Sequence, residues 1–355
     1  MQDFEAFQAE YNDFYVPRFE VIVNGTTITE SDGLISGLTV DTSLWKANRA
    51  SFTVSDIFDL ETREFTQLKK ENFKVGNELR VKIGYGDATK LLFYGKLESV
   101  EPQFDADSGA SISVAAEDGR TQLKSSARDD SWDESSVGSV VEKIVTEHGF
   151  PDKAIGGSSG GGPTLKAPND LQLEKFIKAS ENDREFLSLL ANAYGYEMFF
   201  RDETFHFRRP NRNADAATIR LQYGRSLRSF TPGQPGNDRD IKKVIVKDVD
   251  NIRRKPIKGV AARQEGSREV TKTRTVESEE EAKIRAQALL NDLTRGPTTS
   301  AEVLGLPDIR IGKPIKLTGL TERFDGAYYI EETTHNITNS GYTTRFTTRK
   351  IPQQQ

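Results

Sequence analysis

The segment SENDREFLSLLANAYGYEMFFRDETFHFRRP, Ser180 to Pro210, concentrates carboxylates, arginines and one of the chain's three histidines. Such residues could perform acid–base hydrolysis, which for a glycosidase means two carboxylates flanking a cleft. The candidates are Glu181 with Asp183, and a second group, Glu279, Glu280 and Glu281. Each group sits where a helix is expected to start, and capping or solvation accounts for it without chemistry. Ser180 followed by Asp183 resembles a capping box, and Ser278 with Glu281 forms a second. His148, His206 and His335 show neither HxxxH nor HxxEH spacing, so no metal set is expected. DADSG at Asp105 opens like a calcium loop but has Ala116 at its twelfth position where a glutamate is required. IGYGD lacks the third glycine and following helix of a dinucleotide site. GGSSGGGP, Gly156 to Pro163, lacks the Lys-Ser or Lys-Thr of a phosphate loop and reads as a connection. No catalytic, cofactor-binding or metal residue is therefore expected.

The elements that hold these groups follow from hydrophobic period. After Gly195 stops a helix whose stripe is Phe186, Leu187, Leu190, Ala193 and Tyr194, the residues Tyr196, Met198 and Phe200 alternate. RDET then turns the chain, and Phe205 and Phe207 alternate back with His206 on the opposite face. Upstream, SSVGSVVEKIVTEHGF carries Val137, Val140, Val141, Ile144 and Val145 at helical spacing, capped by Ser135 or Ser136 and ended by Gly149. Period two dominates before and after this region. FEVIVNG, SFTVSD, ELRVKIGYG and SISVAAED read as strands, with DLETREFTQLKKE as a short helix or long loop. LQYGRSLRSF and the pair within DIKKVIVKDVDNIRRKPIKGVA follow, then a helix with Ala282, Ala286, Leu289, Leu290 and Leu293 as its stripe.

Composition limits what these elements can serve. A chain of 355 residues exceeds the size, about 250 to 300 residues, at which single cores stop growing, so more than one unit is expected. Forty-nine basic against 54 acidic residues give a net charge of −5, which carries no footprint for nucleic-acid recognition. The absence of cysteine removes thiolate catalysis and disulfide frameworks. No apolar run approaches about 18 residues, and MQDFEAFQAEYNDFYVP is acidic where a signal peptide would be basic. Synthesis in the cytoplasm without membrane insertion is expected.

The segment Val75–Val81, VGNELRV, reappears as Ile311–Leu317, IGKPIKL. Each copy places an apolar residue and a glycine before an apolar–basic–apolar strand start. Aromatic pairs follow, Phe93-Tyr94 and Tyr328-Tyr329, and each copy ends in an alternating strand, ASISVAAED or YTTRFTTRK. The repeat predicts two related barrel-like domains separated by an α/β module.

LFYGKLESVEPQFDADSGASISVAAEDGRTQL, ENDREFLSLLANAYGYEMFF, YGRSLRSFTP and LGLPDIRIGKPIKLTGLTERFDGAYYIEETTHNITNSGYTTRFTTRK together resemble the phage late control protein D family, which is similar to the hub part of VgrG. The resemblance runs from about Phe19 to Lys350. It implies a mainly β fold with an α/β insertion, in which two tail-tube-like β-barrels assemble as a trimer with pseudo-sixfold symmetry. The expected divisions are an N-terminal arm (1–16), a first barrel (17–125), an insertion (126–215) and a second barrel (216–355) that includes a helix at about 278–295. The implied role is a structural baseplate hub joining a hexameric inner tube to a trimeric spike, in a contractile phage tail or a phage-derived injection system. Implied partners are two further copies of the chain, the inner tail tube protein, a spike and other baseplate proteins. Because the sequence ends at IPQQQ just after the last expected strand, the spike is expected to be a separate protein. The alternative is a peptidoglycan-degrading tail component, which would need the clustered acid or histidine cleft that the sequence does not show.

Overall fold

The computed structural model describes residues 1–28, 34–55, 58–65, 71–107, 109–125, 127–150, 152–155, 172–179, 181–234, 240–249 and 255–351. Ser180 and the Gly156 to Pro163 tract lie outside them. In the first half, alternating Val, Ile and Phe build six strands: β1 (Pro17–Val23), β2 (Leu34–Ser43), β3 (Arg49–Ser55), β4 (Glu78–Tyr85), β5 (Ala88–Asp105) and β6 (Gly109–Glu117). Their order across the sheet is β2-β3-β6-β5-β4-β1, antiparallel throughout. Inward residues such as Val21, Phe52, Val81, Ile83, Ile112 and Val114 are buried, as period-two burial requires. DLETREFTQLKKE contributes two short paired segments, Phe58–Asp59 and Glu64–Phe65; its Thr66 to Lys70 lie outside the described residues.

The insertion adds β7 (Asp130–Ser136), helix α2 (Val137–Glu147), β8 (Asp152–Ile155), β9 (Gln172–Lys178), helix α3 (Asp183–Tyr194), and the hairpin of β10 (Glu197–Arg201) and β11 (Thr204–Arg208). A short helix, α1 (Phe4–Glu10), precedes β1. Ser136 caps α2 in a reciprocal box with Ser139, and Gly149 follows the helix at φ +64°. Strand β8 joins the hairpin parallel to β11, a pairing that alternation alone had not suggested.

The second half contains β12 (Arg220–Gln222), β13 (Leu227–Thr231), β14 (Ile241–Val249), β15 (Pro256–Ala262), β16 (Arg268–Thr273), a helix (Glu279–Leu293), β17 (Thr298–Leu304), β18 (Pro314–Thr318), β19 (Gly326–Thr338) and β20 (Gly341–Lys350). Six of these strands repeat the first half's order, as β13-β17-β20-β19-β18-β12. The outermost pair, β12 with β18, is parallel where β1 with β4 is antiparallel. Strands β14 to β16 leave this sheet. They form a separate three-stranded sheet whose core, with Val244, Val246, Ala261, Ala282, Ala286 and Leu290, is closed by the Glu279–Leu293 helix. That helix, expected within the second barrel, therefore stands on its own sheet.

The repeat holds at atomic detail. Gly76 and Gly312 both adopt positive φ, +93° and +73°, which glycine reaches without Cβ strain. Gly76 N–H donates to Leu97 O at 2.8 Å and Leu97 N–H to Asn77 O at 2.9 Å; Gly312 N–H donates to Ile330 O at 2.9 Å and Ile330 N–H to Lys313 O at 3.1 Å. A bulge follows at the same place, between Leu97 and Ser99 in β5 and between Ile330 and Glu332 in β19. The aromatic pairs do not coincide: Lys96 occupies the position of Tyr329, so Phe93-Tyr94 is offset by two residues and keeps its face but not its place.

Neither half closes on itself by hydrogen bonds among the described residues. The edge strand β2 of the first half pairs with β19 of the second, from Leu38↔Ile337 to Ser43↔Glu332, making one open thirteen-stranded sheet over a continuous core. The N-terminal segment, expected as an arm, is also docked. Phe7 and Tyr11 are buried in this core, and the backbone of Gln2 bonds to Thr218 and Arg220 beside the second half.

Candidate functional site

The β10–β11 hairpin lies between the two halves, and its reactive-looking groups serve as joints. On one face, Phe199 enters the main core; on the other, Phe200, Phe205 and Phe207 enter the insertion's core. Asn48 Nδ2 donates to Phe200 O at 2.9 Å, and the buried Arg120 donates to Asp118, Asn48 and the Ser43 carbonyl, which fastens the hairpin to the first half. Toward the second half, Arg208 donates to Gly312 O at 2.6 Å and pairs with Glu197 at 3.1 Å, while the Tyr329 hydroxyl donates to Glu197 at 2.5 Å. Burial pushes the Glu197 carboxyl up, against the pull of Arg208. The loop adds Asp202 with Arg310 at 2.9 Å and Glu203 with Arg80 at 2.5 Å, one contact to each half.

The sequence candidates fall into separate places. Asn182, not Ser180, caps α3, accepting from Glu185 N–H at 3.0 Å. Asp183 is neither a cap nor solvated; it is buried, ion-paired to Lys178 and 2.7 Å from His148 Nε2. This His–Asp contact is the arrangement nearest to catalytic chemistry, yet Asp183 is committed to a buried lysine and the His148 ring stacks on Phe150. Glu181 immediately precedes the Asn182 cap and accepts from Ala179 N–H at 2.7 Å. Ser278 caps its helix as expected, but Glu281 is buried, accepting from Tyr194 and Glu277 N–H and pairing with Arg285. His206 stacks on Phe199 at 4.8 Å, and burial with Arg201 and Arg208 nearby pushes it down to about 3. His335 is fully buried against Tyr342 and the Ile309 carbonyl and is likewise pushed down to about 3, chiefly by burial. Among the described residues no three His, Cys, Asp or Glu side chains converge on a point where a metal could sit. At DADSG, whose Ser108 lies outside the described residues, Asp107 N–H donates to Asp105 and Asp105 pairs with Gly109 across β5 and β6, and IGYGD ends β4.

The arrangement that remains is a system of strand edges. Across the β2–β19 junction, Leu44 N–H donates to Glu331 O, Thr42 and Thr333 hydroxyls lie 2.7 Å apart, and Thr334 donates to Asp41 at 2.6 Å. Sequence reading missed β2, because Gly37 (φ +62°) lies in the bulge between Ser36 and Thr39 and breaks the alternation.

A family model described as the Alg8 N-terminal domain matches residues 14–234. The chain belongs to that family. The matched region spans the first half, the insertion and the first two strands of the second half. No curated protein matches the sequence. Among solved structures, the 43 kDa tail protein of prophage MuSo2 from Shewanella oneidensis is 14% identical with a TM-score of 0.69, over 94% of this chain and 98% of that one. A tail protein from Neisseria meningitidis is 15% identical with a TM-score of 0.69, over 95% and 97%. An Escherichia coli component of the type VI secretion system, described as structurally similar to the T4 tail proteins gp27 and gp5, is 16% identical with a TM-score of 0.57, over 94% and 77%. The fold is thus the one shared by prophage tail proteins and this secretion component, as the late control protein D resemblance implied.

Proposed function

We propose that the chain is the structural hub of a contractile tail or contractile injection baseplate, a symmetry adaptor between a hexameric inner tube and a trimeric spike. The observation that carries this reading is the duplication itself: one chain presents the same six-strand order twice in one continuous sheet. Three such chains present six similar units, which lets a sixfold ring end on a threefold body. The tube protein, spike and other baseplate proteins are the partners, and the chain is made in the cytoplasm before assembly. The residues with acid–base potential support a non-enzymatic role, since Asp183 and Glu281 are held in buried ion pairs. The test is imaging of the assembled particle. The chain is expected on the axis, between the first tube ring and the spike, and its deletion should abolish complete sheathed tubes. Intact contracting particles formed without it would overturn the proposal.

A further inference from the structure

Matching positions of β5 and β19 have opposite surroundings. Counted from the common bulge, Ser99 corresponds to Glu332 and Asp105 to Thr338, and their partners on β6 and β20 correspond one for one. In β19 the free edge beyond β18 is covered by β2, and Glu331, Thr333, His335 and Ile337 are buried. In β5 the same edge has no partner strand among the described residues. Phe104, at the place of Ile337, is 68% exposed against 7%, and Glu98 and Pro102 are exposed.

The strand corresponding to β2 is β13, the outer edge of the second half, with Phe230 and Thr231 at the places of Leu38 and Thr39. We infer that β13 and the residues after it, Phe230 to Gln234, pair with Val100 to Phe104 of a second copy in the register of the internal β2–β19 junction. Phe230 then faces Phe104, Pro232 faces Pro102 and Gln234 faces Val100. The occupant is a copy of this chain because only the second half carries the repeat's equivalent of β2 with its edge unpaired among the described residues. Each copy offers one edge of each kind, so the contact is head to tail and propagates around a ring. The inference rests on the hub reading for its ring, and on the repeat for its register.

The two prolines decide the strength of this contact. Because Leu44 N–H donates to Glu331 O, Glu332↔Ser43 is a pair without mutual bonds, and the mutually bonded pairs are Thr333↔Thr42, His335↔Val40 and Ile337↔Leu38. Pro102 and Pro232 fall at the place of His335↔Val40, the middle of the three. Neither has an N–H, so the ladder between copies keeps its outer bonded pairs and lacks its central one. Such an edge resists indiscriminate strand addition and closes only when tube and spike hold the copies together.

The chain contains no cysteine, which gives a clean crosslinking test. Gln103 and Thr231 correspond to the unbonded pair Asn336↔Thr39, whose side chains touch at 3.2 Å, and both are exposed. Close approach at such pairs suits a disulfide. Baseplates assembled from a mixture of Gln103→Cys and Thr231→Cys chains should give a disulfide-linked dimer containing one chain of each kind, whereas either variant alone should stay unlinked. Linked Gln103→Cys homodimers, or no link in particles that hold the chain on the axis, would overturn the junction and leave the hub reading standing. Links between chains placed off the axis would support the junction and overturn the hub reading. As a second measurement, Pro102→Thr with Pro232→Val in the purified chain should tighten self-association roughly tenfold or more by restoring two bonds; unchanged association would overturn the register.

Discussion

The two halves share a six-strand frame but differ in what hangs from it. Between β2 and β3 the first half has only residues 44–48, whereas the corresponding gap between β13 and β17 carries a three-stranded sheet and a helix. Between β3 and β4 the first half carries two short paired segments that the second half lacks among the described residues. The frame therefore behaves as the constrained part, repeated down to a turn and a bulge, and the excursions as the part free to vary. The insertion hairpin belongs to neither half and bonds to both, so it fixes their relation.

That arrangement breaks most severely at the hairpin. Arg208→Ala leaves Glu197 buried without its cation and removes the bond to Gly312, and loss of one partner of a buried pair costs about 3 to 5 kcal/mol. Urea unfolding should show this as a large fall in midpoint. A fall under about 1 kcal/mol would mean that the hairpin does not hold the halves together.

The next contrast separates the covered edge from the open one. Ile337→Ala removes a buried side chain from the internal junction and should cost roughly 2 to 5 kcal/mol. Phe104, at the matching position, is 68% exposed and packs its ring against Phe58 and Phe65, so Phe104→Ala should cost the isolated chain about 1 kcal/mol or less. Equal losses would erase the distinction between the edges.

How far the sequence revealed this frame follows from period and turn chemistry. Val75–Val81 and Ile311–Leu317 were legible because a glycine turn and an alternating strand leave a local mark, and the structure returns both with the same hydrogen bonds. Strand β2 was not legible because its bulge interrupts the period, and its partner lies about 300 residues away, a distance no local pattern spans. The polar joints escaped for a related reason. Asp183 at a helix start looks like a cap, and only the fold brings Lys178 and His148 against it. Two strands of the three-stranded sheet, Ile241–Val249 and Pro256–Ala262, were read correctly and the third, Arg268–Thr273, was not; alternation does not say which sheet a strand joins.

Acid should act on both sides of the comparison, because His206 belongs to the hairpin and His335 to the internal junction. Both are pushed down to about 3 by burial, so they stay neutral when folded and take up protons on unfolding below about 6.5. The unfolded chain binds more protons in that window, so stability falls as pH drops from about 6.5 toward 3 and is unaffected by these groups above it. The slope is roughly 1.4 kcal/mol per pH unit for each histidine in that window. Urea midpoints at pH 7 and pH 5 should differ accordingly, and His206→Gln should flatten part of the difference. An unchanged slope in that variant would show that His206 is reached by solvent in the native state.

The smallest effect tests whether the start of α3 is more than a helix end. Asn182→Ala removes the oxygen that accepts from Glu185 N–H and should cost about 1 kcal/mol. Glu181→Ala should cost less than about 1 kcal/mol, because among the described residues its carboxylate accepts the exposed Ala179 N–H, at 2.7 Å. A hub that works by geometry tolerates both, since neither residue reaches the strand edges or the hairpin joints, and particles carrying either variant should contract normally. Glu181 is the more informative of the two, because it was a candidate acid and its loss scarcely touches the fold. Folded and fully assembled Glu181→Ala particles that fail to penetrate their target would place chemistry at this helix start and end the purely structural account.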